Sequence, residues 1–273
     1  MKSFASGEMT IATAALGFGE EGDRSGPGAG GAAADIGTQN GVFVPAVSTA
    51  VVTGAGSGIG RATAIAMAAR GFDVALLGRT RATLEATARD IAAHGRHAEV
   101  VVCDVTRGED VDAAAATLLA RGAPRVVVNN AGIGGRMARI DETTEAEWDA
   151  MLGANLKSVF LVTRAFLPAM IAANTGRFVT IASISATLGT ARLAAYVASK
   201  WGAVGFTKSL AEELRGTGLQ AMSVMPGAVD TPMLAVTGFA PQMTADDVAK
   251  LVVYAALDAP DAMNGSSIEM FGE

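Results

Sequence analysis

Tyr196 and Lys200 stand four residues apart in a stretch, 195–215, whose composition favours a helix, so both side chains project from one face and can meet one ligand. A phenol in water has a pKa of about 10, too high for ready proton exchange at neutral pH. A nearby ammonium favours the phenolate, so Lys200 is expected to lower the pKa of Tyr196 toward a useful value. The pair therefore reads as a proton-transfer centre, although a solvent-facing helix shows the same spacing. A second group of residues could hold an anion. Thr53-Gly54-Ala55-Gly56-Ser57-Gly58-Ile59-Gly60 lies between a β-branched apolar run and an Ala-rich stretch. Gly54 permits a sharp turn, Gly58 removes a Cβ where backbone must approach a pyrophosphate, and Gly60 lets the helix that begins around Arg61 pack close to a sheet. That helix would offer its free N–H groups and positive dipole end to the phosphates.

Other chemistries are poorly supplied. Cys103 is the only cysteine, which excludes an internal disulfide and a thiolate cluster and suits a reducing, cytoplasmic setting; it reads as a small buried hydrophobe at a strand end. His94 and His97 have no carboxylate or thiol at ligand spacing, so no metal is expected. A net charge of −6 with no basic stripe argues against a nucleic-acid partner. Gly, Arg, Asp or Asn interrupts every apolar run before the roughly 18 residues of a bilayer span, so no membrane segment is expected.

The elements that must position these groups follow from the pattern of the chain. Half of the 273 residues are hydrophobic, enough for one large core. Residues 1–45 are Gly- and Ala-rich, contain the run Gly26-Pro27-Gly28-Ala29-Gly30-Gly31, and lack apolar periodicity; they are expected to be a disordered N-terminal extension, with too little charge before Ile11 for a secretory signal. Residues 46–273 alternate β-branched runs with Ala-rich helical stretches. Strands are expected at 46–53, 73–77, 98–103, 125–129, 177–182, 219–225 and 267–271, and helices at 58–70, 80–94, 108–121, 144–172, 195–215 and 244–257. Right-handed crossovers wind this order into a single α/β, Rossmann-type doubly wound parallel sheet of about seven strands, order 3-2-1-4-5-6-7, with helices on both faces. Its ligand crevice lies at the carboxyl ends of the strands, where every motif named here falls.

The glycine spacing, Gly-x-x-x-Gly-x-Gly at Gly54, Gly58 and Gly60, resembles the short-chain dehydrogenase/reductase family, in particular members of the 3-oxoacyl-ACP reductase kind. The resemblance continues through Asn129-Asn130-Ala131-Gly132, Asn155, Ser183, Tyr196-Val197-Ala198-Ser199-Lys200 and Pro226-Gly227, and covers about Ala46 to the C-terminus. It implies an NAD(P)-dependent oxidoreductase that moves a hydride between a nicotinamide and a carbonyl or secondary alcohol, in a dinucleotide-binding catalytic domain. It makes Tyr196 the general acid/base, and Ser183 the hydroxyl that orients the substrate oxygen, favoured by spacing over Ser185. Asn155 becomes the holder of a water in a proton path from Lys200, itself also a ribose ligand. Among cofactor contacts it implies Ser57 and Ile59 in the glycine loop, Asp104 and Val105 at the adenine, Asn130, Ala131 and Gly132 along the floor, and Pro226, Gly227, Val229 and Thr231 beneath the nicotinamide. Asp104 could equally cap the helix starting near Arg107.

An NAD enzyme usually carries an acid at the end of the second strand. Gly78 occupies that place here, followed by Arg79 and Thr80, and a guanidinium can bind a 2′-phosphate bidentately. NADP is therefore the expected cofactor, with NAD as the alternative. Leu188, Met233, Leu234 and Phe239 are expected to form an open apolar substrate pocket. Phe160, Phe166, Trp201 and Phe206 exceed what one sheet face needs and suggest a homodimer or homotetramer. A serine hydrolase lacks its Gly-x-Ser-x-Gly elbow here, and a sugar-nucleotide epimerase would show other glycine spacing. A non-catalytic NADP(H)-binding regulatory protein of the same fold is the remaining alternative.

Overall fold

In the computed structural model the described residues are 48–235 and 237–272, together with the backbone of two short antiparallel strands, Thr38–Gln39 and Val42–Phe43. The expected disorder of residues 1–45 therefore lies largely outside the described residues.

The rest of the described chain is built on one parallel sheet. Its strands are β1 (Thr49–Thr53), β2 (Asp73–Gly78), β3 (Ala98–Val102), β4 (Val126–Asn129), β5 (Gly176–Ile181), β6 (Leu219–Pro226) and β7 (Ser267–Met270), hydrogen-bonded in the order 3-2-1-4-5-6-7. The helices are α1 (Gly58–Ala69), α2 (Arg81–Ala92), α3 (Gly108–Leu119), α4 (Glu145–Leu152), α5 (Ser158–Ala173), α6 (Ala194–Glu213), α7 (Pro232–Ala235) and α8 (Ala245–Val253).

Both faces of the sheet are buried, which is why its strands read as unbroken apolar runs. In β1, Ala50 and Val52 enter a core with Met67 of α1 and Val248 and Val252 of α8, while Val51 faces Phe166 and Met170 of α5. β4 and β5 repeat the alternation: Val126, Val128, Val179 and Ile181 join the first core, Val127 and Phe178 the second. Burying Phe166 and Phe178 completely contributes roughly 1.5–3 kcal/mol each relative to leaving them in water. Phe166 therefore belongs to the core and not to a surface available for association. Phe206 is partly buried against the same core, whereas Phe160 and Trp201 remain 43% and 51% exposed.

Two features depart from expectation. α4 and α5 run on as one 29-residue helix, Glu145–Ala173, long and apolar enough over 18 residues to cross a membrane by length and composition, although Asn155, Lys157 and Arg164 interrupt it. Leu161, Val162, Phe166 and Met170 on this helix are buried against the sheet. Its two halves are joined by a π-helical turn, Gly153–Lys157, a local widening common at functional sites. The short helix α7, which no apolar period announces, stands over the carboxyl edge of the sheet.

Candidate active site

The strand order reverses between β1 and β4, and a side-chain network joins their ends. The Thr53 hydroxyl donates to the Val128 carbonyl at 3.3 Å and accepts from the backbone N–H of Asn130 at 2.9 Å and of Ala131 at 3.0 Å. The Asn130 amide returns a bond to the Thr53 carbonyl at 2.8 Å. The Asn129–Gly132 turn is thereby pinned to the start of the glycine loop.

In that loop Gly54 and Gly58 adopt φ of +65° and +51°, a region costly to residues with a Cβ. Gly60 meets a different constraint: a Cβ there would lie 2.3 Å from the Gly54 carbonyl oxygen and 2.4 Å from Asn130 Nδ2. Gly60→Ala is expected to destabilise the protein by about 1–3 kcal/mol through this overpacking, read as a lower Tm in calorimetry; an unchanged Tm would show that the loop yields freely. Ser57 precedes α1 without capping it by its side chain. The first N–H groups of a 12-residue helix thus lack a side-chain cap where Ser57, Gly58 and Ile59 border the crevice, an arrangement able to hold an anion.

The crevice is a cleft of about 810 Å³, within the range of a cofactor-plus-substrate site. Gly54, Ser57, Gly58, Ile59, Arg79, Thr80, Asp104, Val105, Asn130, Ala131, Gly132, Ser183, Tyr196, Lys200, Pro226, Gly227, Val229 and Thr231 all line it. Gly60 and Asn155 do not; they stand behind its wall. Met233, Leu234 and Phe239 border the cleft as expected, but Leu188 does not, and its side chain is 53% exposed. Thr83, Cys103 and Gln242 are lining residues that the sequence reading missed. Thr83 stands three residues after Thr80, which precedes α2, and could have been found by that spacing. Gln242 could not, because a bridge between Val229 and Met243 brings it to the cleft.

At the β2–β3 end, Asp104 does not cap α3. Its carboxylate accepts from the Thr106 N–H at 3.0 Å and the Thr106 hydroxyl at 2.8 Å, closing a turn of its own, while Arg107 occupies the position before the helix. The Thr106 backbone bond, with help from its hydroxyl, Arg79 and Arg107, holds the Asp104 carboxyl below the usual range. Burial pushes the Cys103 thiol up to about 11, and the charges of Asp110 and Asp104 add to the shift, so this thiol is inert at neutral pH.

The polar centre lies under the ends of β4, β5 and α6. Lys200 is buried and donates from Nζ to the Ile181 carbonyl at 3.0 Å. Burial depresses its pKa to about 8. Its Nζ lies 5.8 Å from the centre of the Tyr196 ring. The expected acidification of Tyr196 is reversed: burial of the phenol raises its pKa, and the opposing influence is the hydrogen bond with Ser183 rather than the Lys200 charge. Desolvation disfavours the phenolate more than its neighbours favour it. Ser183 caps the one-turn helix Ile184–Ala186, its oxygen accepting the Ser185 N–H at 3.1 Å. That bond occupies an acceptor position and leaves the Ser183 proton for donation.

Asn155 sits in the π-helical turn, 1% exposed. Its Oδ1 accepts the Ile133 N–H at 2.8 Å, and Nδ2 donates to the Ile133 carbonyl at 3.0 Å, to Ser199 Oγ at 3.1 Å and to Met151 Sδ at 3.0 Å. The turn also brings Asn155 Oδ1 against Gly132, where a Cβ would approach it to 2.8 Å.

The sequence and the fold both have known relatives. Residues 48–239 fit the family model described as short chain dehydrogenase. A 3-oxoacyl-[acyl-carrier-protein] reductase from Synechocystis sp. is 33% identical over 219 residues, 80% of this chain and 86% of the relative. The chain also spans 35% of the length of a longer Mycobacterium tuberculosis oxidoreductase, 38% identical over 208 residues. Among solved structures, a variant of the actinorhodin polyketide ketoreductase with NADPH superposes with a TM-score of 0.78 at 32% identity, over 83% of this chain and 96% of that one. A 3-ketoacyl-(acyl-carrier-protein) reductase from Brucella melitensis complexed with NADH gives 0.77 at 28% identity, over 82% and 97%. By its family model, and with the sheet order described above, the chain belongs to the short chain dehydrogenase family.

Proposed function

We propose that this protein is a reductase of ketones or related carbonyl compounds that prefers NADPH, with Tyr196 as its proton donor. The observation that carries the reading is the convergence of Ser183, Tyr196 and Lys200 on one cleft with the uncapped N-terminus of α1. The cleft fits a dinucleotide: its glycines leave room for backbone to approach a pyrophosphate, and its 810 Å³ leaves space for a substrate beside it. Gly54, Ser57, Gly58 and Ile59 would hold the phosphates, Lys200 the ribose, and Val229 and Thr231 the carboxamide.

When bound, NADPH supplies the hydride that adds to the carbonyl carbon. Tyr196 gives its phenolic proton to the carbonyl oxygen, so that the C=O becomes an alcohol and the phenol becomes a phenolate. A phenol kept neutral by burial suits this role in the reductive direction. Ser183 donates its hydroxyl proton as a hydrogen bond to the oxygen while charge builds there. Lys200, anchored on the Ile181 carbonyl, presents a cation to the phenolate as it forms. Asn155 holds the Gly132–Ile133 wall, and the family resemblance supports it as the holder of a water in a proton path from Lys200. In oxidation the same groups act in reverse.

Arg79 at the end of β2 supports the choice of NADPH, since Gly78 offers no carboxylate to repel a 2′-phosphate. Arg79→Ala is expected to reduce the preference for NADPH over NADH by about tenfold to hundredfold in kcat/KM, the range of a lost charge-assisted contact. Equal loss with both cofactors would assign Arg79 another task. The exposed Phe160 and Trp201 support self-association as a homodimer or homotetramer, and light scattering of a monomer at micromolar concentration would contradict it. A single buried cysteine, Cys103, suits a cytoplasmic enzyme. Incubating the protein with NADPH and a panel of ketones, β-ketoacyl thioesters, steroids and sugars tests the activity and identifies the substrate class.

A further inference from the structure

Several helical hydroxyls in the core bond back to their own helix. Ser158 Oγ donates to the Ala154 carbonyl at 2.6 Å, and Thr207 Oγ1 to the Ala203 carbonyl at 2.8 Å. Such bonds satisfy a buried hydroxyl but link nothing to the cleft. Ser199 differs. It is fully buried and does not line the cleft, yet its Oγ donates to the Tyr196 carbonyl at 2.7 Å and accepts from Asn155 Nδ2 at 3.1 Å. One hydroxyl thus joins the turn of α6 that bears Tyr196 and Lys200 to the π-helical turn between α4 and α5.

The link extends to the cleft wall. The same Asn155 amide clamps Ile133 by both its N–H and its carbonyl. It packs at Gly132, where a Cβ would sit 2.8 Å from Asn155 Oδ1 and 3.8 Å from Lys200 Nζ. Gly132 and Ile133 both line the cleft. Without the Ser199 oxygen, Asn155 loses its only contact with α6 among the described hydrogen bonds, and the wall is no longer tied to the helix that carries the proton donor. A serine in a helix interior is less favourable than alanine, and a buried hydroxyl is costly unless bonded, so a role for the group beyond helix formation is called for.

We infer that Ser199 is a positioning residue, which acts through Asn155 to hold Tyr196 and Lys200 in register with the Gly132–Ile133 wall. This rests on the proposed reductase activity for its kinetic consequence and on geometry alone for its structural one. Ser199 does not line the cleft, so its effect is expected on kcat.

Ser199→Ala removes one oxygen and adds no volume, which keeps the fold. In the variant kcat for carbonyl reduction is expected to fall about tenfold, as misplacement of reacting groups does, with KM for NADPH within about twofold of the parent. In an Asn155→Ala background the same change should lower kcat by less than about twofold, because the partner is already gone. Hydrogen exchange followed by mass spectrometry should show faster exchange in Ser199→Ala both in α6 around residues 196–200 and in the wall segment 131–135. Parental kcat and exchange overturn the inference. So does a loss of kcat undiminished in the Asn155→Ala background, or an exchange change confined to α6. If the parent protein reduces no carbonyl, the reductase reading fails, and the exchange pattern alone then decides whether Ser199 links the two segments.

Discussion

Tyr196→Phe is expected to lower carbonyl reduction by about 10²–10⁴-fold, the contribution of a positioned general acid, while NADPH affinity stays within about threefold of the parent. The phenyl ring retains the packing of the phenol, and the lost group is the hydroxyl that faces Ser183. Steady-state kinetics together with titration of NADPH fluorescence separate the two quantities. A protein that only binds the dinucleotide for a regulatory purpose would show binding and biological effect untouched by this change. Equal loss of binding and turnover would instead mean that the hydroxyl serves the cofactor, and the proton-donor assignment would fail.

Lys200→Met has the second largest expected effect, and it separates activity from stability. Removing the buried ammonium takes away the cation nearest the Tyr196 ring and the anchor on Ile181, and kcat is expected to fall by about 10²–10³-fold. Stability moves in the opposite sense. The Lys200 pKa is depressed from 10.5 to about 8 by burial, so at pH 7 the folded protein carries a charge that it holds less well than the unfolded chain does. Between about pH 8 and 10.5 the unfolded chain binds more protons at this position, and the stability contribution of Lys200 rises with pH by on the order of 3 kcal/mol. Met carries no such cost. The Tm of Lys200→Met relative to the parent should therefore be highest below pH 8 and should decline as pH climbs toward 10.5. The buried Ile181 carbonyl left without its donor offsets part of the gain. A Tm difference independent of pH over this window would show that Lys200 is not held as an unfavourable buried charge.

These expectations depend on details that the sequence discloses unevenly. The strands were legible because both faces of the sheet are covered: Ala50, Val51 and Val52, or Val126, Val127 and Val128, must all be apolar whichever way they point. The glycine loop and the Tyr196–Lys200 spacing were legible because each needs only local geometry. Tertiary packing decided the rest. The direction of the Tyr196 shift depends on how much water the folded cleft removes, and no spacing reveals that. Phe166 and Trp201 look alike on a helix, but only Phe166 meets the sheet. Leu188 and Gln242 exchange places as lining residues because the chain between them doubles back through α7 and the Val229–Met243 bridge. Asp104 turns onto Thr106, two residues on, before a helix cap can form. The π-helical turn that aims Asn155 at Ile133 has no signature in the residue types of 153–157.

Tyr196 as a neutral acid beside a hydride donor is the central claim, and a single-turnover experiment with excess protein, NADPH deuterated at the transferred position of C4 and a ketone found in the panel tests it most directly. The account predicts loss of the reduced-nicotinamide absorbance in step with alcohol formation, slower than with unlabelled NADPH. It also predicts no such step in Tyr196→Phe on the same timescale. Tight NADPH binding with the absorbance unchanged against every carbonyl, or equal rates in the parent and Tyr196→Phe, would contradict it.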